Sequence, residues 1–237
     1  MTETKTERTK ETAAAVGVPR EPLTRQRIVR AALELMDREG LEAVSMRRVA
    51  REVGVEAMSL YHHVEDKDDL LGGVCSLVMQ EFDIPDHDDR PWDQRTRSGA
   101  QQWRSVLKSH PNVISLFAER SKPVTDVDAL RPMEYALSLI METGLDEREA
   151  VQVFNVIGGY IMGFVMMETG RMFTAGAVEA DSADVDLVMR TFPAEQLPCI
   201  AAALPYLAAN DPDEQFELGL DLMLAGLRAR FAERSTV

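Results

Sequence analysis

The sequence is poor in the residues that build redox, metal and nucleophilic centres. Its 237 residues include only two cysteines, Cys75 and Cys199, and four histidines, His62, His63, His87 and His110. The cysteines stand far apart, without a C-x-x-C pair or a histidine at ligand spacing. That argues against a disulfide framework and a structural zinc site, and fits a reducing, cytoplasmic setting. No G-x-S-x-G elbow, phosphate-binding glycine loop, H-E-x-x-H helix or dinucleotide fingerprint occurs, and the histidines are poorly spaced for a triad. We therefore expect no enzyme, no cofactor and no metal; an all-helical enzyme is the weakest alternative. A long unbroken apolar run is also missing. The longest stretch, Val151 to Met167, is interrupted by Gln152 and Asn155 and flanked by acids, so neither a membrane span nor a signal peptide is expected.

Positive charge is scarce too. Lys and Arg number 26 against 40 Asp and Glu, a net charge of −14, which taken alone disfavours a phosphate-rich partner. The distribution along the chain changes this. Pro19 to Val64 carries eight basic and seven acidic residues, whereas Leu71 to Val237 carries 14 basic and 26 acidic. Any contact with DNA must come from the first third. A hydrophobic content of 45% with 14 Gly and 11 Pro is that of one or two ordinary globular domains.

What is present reads as helix throughout. Residues 1–18 are rich in Thr, Lys and Glu, too apolar-poor to offset their ordering entropy, and are expected to form a disordered tail. Ile28, Ala31, Ala32, Leu35 and Met36 recur at helical spacing until Gly40, which could take a left-handed cap. Ser45 caps a short helix with Val49, Ala50 and Val53 inward, Gly54 ends it, and Ala57 to His63 reads as a second short helix. Asp66 opens a longer one, with Asp68 and Asp69 beside the positive end of its dipole. Beyond it, turns are marked by Pro85, Pro91, Pro111, Pro123, Gly144, Pro193 and Pro212. Asp146 with Glu149, and Asp211 with Pro212 and Glu214, read as helix starts. Pro132 should sit in a first turn or kink its helix, and Pro198 and Pro205 should break the segment between Ala194 and Ala209 into short pieces.

The span Ser45 to His63 has the proportions of a helix-turn-helix. Ala50 is small where the second helix crosses, Gly54 supplies the turn, and Val49, Val53, Val55 and Leu60 have Ile28, Leu35 and Leu70 to bury against. Ala57, Met58, Tyr61 and His62 are then left facing outward. An ordinary helical hairpin has the same spacing. Residue identities go further: Thr24 to Ile28, Gly40-Leu41, Met46 to Ala50, Gly54-Val55 and Ser59 to Val64, followed by Lys67 and Leu70-Leu71, strongly resemble the TetR family of transcriptional regulators. The L-Y-x-H-V-x-x-K string is close to its tetracycline-repressor branch. A weaker likeness continues through Trp92, Leu107 to Pro111, Gly144, Gly158 and Phe216 to Leu227.

The resemblance implies an all-α homodimer whose chain has three parts: a tail over residues 1–18, a DNA-binding domain over 19–66, and an effector-binding and dimerisation domain over 67–237, entered through a connecting helix at 67–83. Carried over by position, Arg47, Ala57, Met58 and Tyr61 contact bases of a palindromic operator, while Ser59, His63 and Lys67 contact phosphate. Tyr61 could instead cap the small core, and His62 could be an ordinary solvated residue. Asp83, Trp103, Phe117, Met133, Leu137, Val151, Phe154 and Asn155 match the effector cavity, a mostly apolar lining suited to an aromatic or polycyclic small molecule. Tetracycline-binding members use a histidine near the position of Phe117, so a tetracycline–magnesium effector is not expected. Ile157, Ile161, Leu220, Leu224 and Leu227 match the helices of the intersubunit bundle; both helices could also be plain intrachain core. The expected function is repression relieved by the effector. The alternative is an effector-independent dimeric DNA-binding protein.

Overall fold

A computed structural model describes residues 22–119, 124–170, 192–208 and 211–234. The expected tail and the turn at Pro123 lie outside them. Among the described residues all regular structure is helical: α1 (Arg25–Glu39), α2 (Met46–Val53), α3 (Ala57–Leu60), α4 (Lys67–Met79), α5 (Trp92–Ser109), α6 (Val113–Glu119), α7 (Val127–Met141), α8 (Glu147–Glu168), α9 (Pro198–Ala208) and α10 (Pro212–Arg234), with a 3-10 turn at Leu41–Ala43.

Local chemistry sets most of the boundaries. The side chains of Thr24, Ser45, Asp66 and Asp146 each accept a backbone N–H three residues on, at 3.2, 3.4, 2.7 and 2.8 Å. Asp211 accepts from Asp213 and Glu214 at 2.8 and 3.3 Å. Each satisfies donors that a helix start leaves unpaired. Gly54 is left-handed (φ 73°, ψ 35°), a conformation that costs a β-carbon about 1–2 kcal/mol. Gly40 has a positive φ of 86° but an extended ψ of 169°; it redirects the chain into the 3-10 turn and is not the expected left-handed cap. Two proline expectations also change. Pro132 sits in the second turn of α7 and buries its ring, and α9 runs unbroken from Pro198 through residue 205.

The first four helices share one core. Ile28, Leu35 and Met36 of α1 meet Val49 and Val53 of α2, Leu60 of α3 and Leu70, Val74, Cys75 and Val78 of α4. At about 25 cal/mol per Å² of apolar surface, this many fully buried side chains hold short helices that could not stand alone in water. The same cluster extends to Val106, Val113 and Leu116 of α5 and α6, so the N-terminal unit is seated directly on the larger one. There a second core gathers Ala100 and Leu107 of α5, Ile157, Ile161, Phe164 and Val165 of α8, and Phe216 and Leu220 of α10.

Candidate functional site

The N-terminal unit offers one outward end. α3 is a single turn, Ala57–Leu60, and not the longer helix expected through His63: Tyr61 and His63 donate to Met58 and Leu60, three residues back, at 3.3 and 2.9 Å. The tighter turn still carries Met58 and Tyr61 outward, 71% and 47% exposed, beside exposed His62 and Lys67. Arg47, in the first turn of α2, is exposed as well. Ser59 and His63 are half-buried. Ala57 is not fully outward: it is partly buried against the N-terminal core, because the residue opening so short a helix must also close the turn from Gly54.

Ion pairs brace this end. Arg25 bridges the Asp69 carboxylate at 2.8 and 2.6 Å and donates to the His63 carbonyl at 3.2 Å, locking the loop after α3 onto the starts of α1 and α4. Arg27 donates to the Val53 carbonyl at 3.0 Å. Arg48 and Arg38 pair with Glu39 and Glu52 at 2.6 and 2.9 Å, which leaves Arg47 as the cation at the start of α2 directed away from the core.

A cavity of about 640 Å³ lies behind α4, walled by α4, α5, α6, α7 and α8. It brings together Trp103, Phe117, Met133, Phe154 and Asn155 of the expected set, and omits three. Asp83 is exposed beyond the end of α4, Leu137 packs into a separate cluster with Ile140, Leu145 and Ala150, and Val151 points to solvent from α8. Asp83 and Leu137 directly follow the wall residues Phe82 and Ala136, and Val151 lies one turn before Phe154, offsets that matching by position does not resolve. Met79, Phe82, Thr96, Tyr135, Gly158 and Met162 also line it and were not anticipated. The last two continue the stripe begun by Phe154 and Asn155 at helical spacing, a signal the sequence did contain.

The wall is aromatic. Trp103 leans on Phe82 and Phe117 with ring centroids 6.4 and 6.1 Å apart, and Phe82 on Tyr135 at 6.5 Å. Its polar side-chain groups are those of Thr96, Tyr135 and Asn155, with the indole N–H of Trp103. The Thr96 hydroxyl donates to the Trp92 carbonyl at 2.8 Å. Burial pushes the Tyr135 phenol up from its ordinary value, keeping it a protonated donor. No Asp, Glu, Lys, Arg or His side chain is among the described lining.

The expected dimer residues need a correction. Ile157, Ile161, Leu220 and Leu224 are buried within the chain, the first two also on the cavity wall, and Leu227 is partly buried beside them. Both α8 and α10 are apolar on more than one side, so periodicity alone does not say which stripe faces outward. The outward stripe is Val156, Gly159, Gly163 and Met167 on α8, with Leu218, Leu222 and Ala225 on α10; Val156, Leu218 and Leu222 are 61%, 59% and 67% exposed. This exposed side explains why α8 has the length and hydropathy of a membrane-crossing helix while little of it is buried in one chain.

Comparison with known proteins agrees with this geometry. Residues 28–74 match the family described as bacterial regulatory proteins, tetR family, and residues 84–231 match the tetracyclin repressor-like C-terminal domain. The chain is 31% identical over 222 residues to the HTH-type transcriptional repressor DrrR1 of Streptomyces coeruleorubidus, covering 91% of this chain and 81% of that protein. It is 25% identical to the class C tetracycline repressor of Escherichia coli, covering 86% and 90%. The crystal structure of Streptomyces coelicolor ActR in complex with actinorhodin superposes with a TM-score of 0.74 at 27% identity, over 89% of this chain and 99% of that one. With a helix-turn-helix match in front and a repressor-type helical domain behind, together spanning nearly all of the described residues, the chain belongs to the TetR family of bacterial transcriptional regulators.

Proposed function

We propose that this regulator binds a near-palindromic operator as a homodimer in the cytoplasm and releases it when a neutral, largely apolar aromatic molecule fills the cavity. The observation that carries this reading is the position of the cavity: Met79 and Phe82, at the end of the helix that packs along α1, form part of its wall. A ligand that prefers one placement of α4 thereby biases the reading end, since a ligand shifts an equilibrium only by its difference in affinity for the two states. Residues 19–66 serve as the reading unit, 67–83 as the joint, and the remainder to 237 as the effector and dimerisation unit.

Within the reading unit, Arg47 presents its guanidinium fork to a guanine edge, and Met58 and Tyr61 lie against neighbouring bases; Ala57 makes at most a methyl contact. Ser59, His63 and Lys67 hold phosphates and set register. The exposed apolar stripes of α8 and α10 pair with their copies in a second chain. An ionised effector is disfavoured, because the wall offers no counter-charge and burying an unpaired charge is costly. Asn155 and Tyr135 orient a hydroxyl or carbonyl group. With phenylalanine at 117 and no histidine or carboxylate on the described wall, a magnesium-chelated ligand lacks its anchor.

Selection of duplexes from random DNA tests the reading. It should return two inverted half-sites with centres roughly 34–36 Å apart. Recovery of no preferred sequence would contradict it. Actinorhodin, the molecule held by ActR, and a neutral polycyclic quinone are the first cavity probes to compare, and the uncharged wall should favour the neutral one.

A further inference from the structure

At the joint between the reading unit and the effector unit, side chains from three elements converge on one imidazole. His110, the residue that ends α5, places Nδ1 2.7 Å from Oδ2 of Asp37 on α1 and Nε2 3.1 Å from Oε2 of Glu81, just past the end of α4. Two residues further on, the Asn112 amide donates to the carbonyls of Met36 and Asp37 at 2.8 and 3.3 Å. With a carboxylate at each ring nitrogen, both contacts are hydrogen bonds only when the ring carries two protons. The second Asp37 oxygen, Oδ1, is buried without a hydrogen-bond partner, so this carboxylate leans on His110. The hydrogen bond to Asp37 pushes the imidazole above its ordinary value; burial opposes it, and the charges of Asp37 and Glu81 reinforce it. The turn into α6 adds only the neutral amide of Asn112 on this side.

The position matters as much as the charge. Glu81 is the immediate neighbour of Phe82, whose ring is cavity wall, and α6, which starts three residues after His110, carries Phe117 on the same wall. A change in cavity filling that moves Phe82 or Phe117 acts on the imidazole contacts directly.

We propose that His110 is a positioning residue, an imidazolium clamp that ties α1 and the end of α4 to the effector unit and so fixes the reading unit relative to the cavity. Loss of its proton removes one of the two carboxylate contacts and loosens the reading unit on the apolar core and Asn112 bonds that still seat it. The consequence for gene control rests on the regulator reading above, whereas the clamp itself requires neither DNA nor ligand.

The test is an intrachain distance. Spin labels on Arg51→Cys and Ser138→Cys, both exposed positions, in a Cys199→Ala background, report the placement of the reading unit against α7; labelled chains are diluted into unlabelled ones. DNA affinity against pH would not isolate the clamp, because His62 and His63 stand at the DNA-facing end. The full chain should give a narrow distance distribution at about pH 6 and lose it at about pH 8.5, on either side of the imidazole titration. His110→Gln should lack the narrow distribution at both. A His110→Gln chain as narrow as the parent at both values overturns the proposal. Should His110→Gln not fold, the His110 imidazole is followed by nitrogen NMR in the parent and in Glu81→Gln. Titration above the ordinary histidine value that falls in Glu81→Gln supports the clamp; titration at or below the ordinary value overturns it. If DNA selection fails but the distance result holds, the regulator reading falls and the clamp stands.

Discussion

Tyr160 and Gly219 compete for one space. The phenol of Tyr160 lies where a β-carbon on residue 219 would stand, and its hydroxyl donates to the carbonyls of Phe216 and Gln215 at 3.0 and 3.3 Å. The ring also stacks on Phe216 with centroids 5.4 Å apart. A glycine in α10 thus lets an aromatic of α8 pack against the helix backbone, its hydroxyl adding a hydrogen bond to carbonyls near the start of α10. Gly219→Ala should destabilise the chain by about 1–3 kcal/mol through overpacking, despite the better helix propensity of alanine. Chemical denaturation of Gly219→Ala, Tyr160→Ala and the double variant should show strong non-additivity, the double variant losing less than the sum of the singles. Additive losses would mean that the two residues do not share this space.

Arg104 joins three elements. Its guanidinium grips Glu168 of α8 at 3.0 and 2.8 Å, pairs with Asp213 of α10 at 2.7 Å, and lies over the rings of Phe216 and Phe164, 4.6 and 5.3 Å from their centroids. Burial pushes the Glu168 carboxyl up, but the hydrogen bonds from Arg104 and Lys108 outweigh it and hold it below its ordinary value. A depressed carboxyl contributes stability that is present above the unfolded value and lost as pH falls through the folded one. Arg104→Ala should cost about 1–3 kcal/mol, because it leaves the mostly buried Glu168 with Lys108 as its remaining partner and removes the guanidinium from Asp213. Its denaturation midpoint should also fall less steeply than the parent's as pH drops below about 4.5, the ordinary glutamate range, because Glu168 then contributes less to the acid dependence. Arg104→Lys, which cannot form the two-pronged grip or stack flat, should not restore the parent midpoint.

Leu220 and Leu222 are two residues apart and should behave in opposite ways. Leu220 is inside the chain, whereas Leu222 stands exposed on the apolar stripe. Leu220→Asp buries a charge in the α8–α10 core and should prevent folding. Leu222→Asp, together with Leu218→Asp, should leave a helical, folded chain that sediments as a monomer. A dimeric Leu218→Asp/Leu222→Asp chain would move the subunit contact elsewhere.

Arg47 and Lys67 should leave different signatures on DNA. Arg47→Ala should cost about 1–3 kcal/mol on the selected operator and relax preference at one base pair. Lys67→Ala should weaken all duplexes alike and reduce the salt slope by about one. Equal losses on operator and scrambled DNA for both variants would remove the assignment of Arg47 as a base reader.

How legible these features were in the sequence depended on whether one residue or a packing choice decided them. Capping residues Ser45, Asp66, Asp146 and Asp211 mark helix starts by their own chemistry, and the structure has helices beginning after each; the Thr24 cap of α1 was missed. Gly54 and the apolar positions around it made a short helix pair readable, and only the residue identities that resemble the TetR family made it a helix-turn-helix. The length of α3 was not: residues 61–63 switch to three-residue hydrogen bonds that composition does not reveal. Pro205 misled because proline discourages a helix interior without forbidding it. The deepest ambiguity lay in α8 and α10, each apolar on more than one side. There Ile157 and Leu220 could equally have faced a second chain, and only three-dimensional packing turned them inward and left Val156 and Leu222 outside. Matching by position placed Trp103 and Phe154 at the cavity, but Leu137, next to the wall residue Ala136, and Val151, one turn before Phe154, could not be told from its wall.

Coupling between the cavity and the reading end is open to a reciprocal titration. Binding of the selected operator is titrated at several fixed concentrations of actinorhodin, and binding of actinorhodin, followed through Trp103 fluorescence in a Trp92→Phe chain, is titrated with and without operator. Operator affinity should fall as actinorhodin rises until it reaches a plateau, and operator should weaken actinorhodin by the same factor, because linkage requires equality. Phe154→Ala should lower actinorhodin affinity while leaving operator affinity unchanged without it. Actinorhodin that quenches Trp103 yet leaves operator affinity constant at every concentration would contradict the coupling.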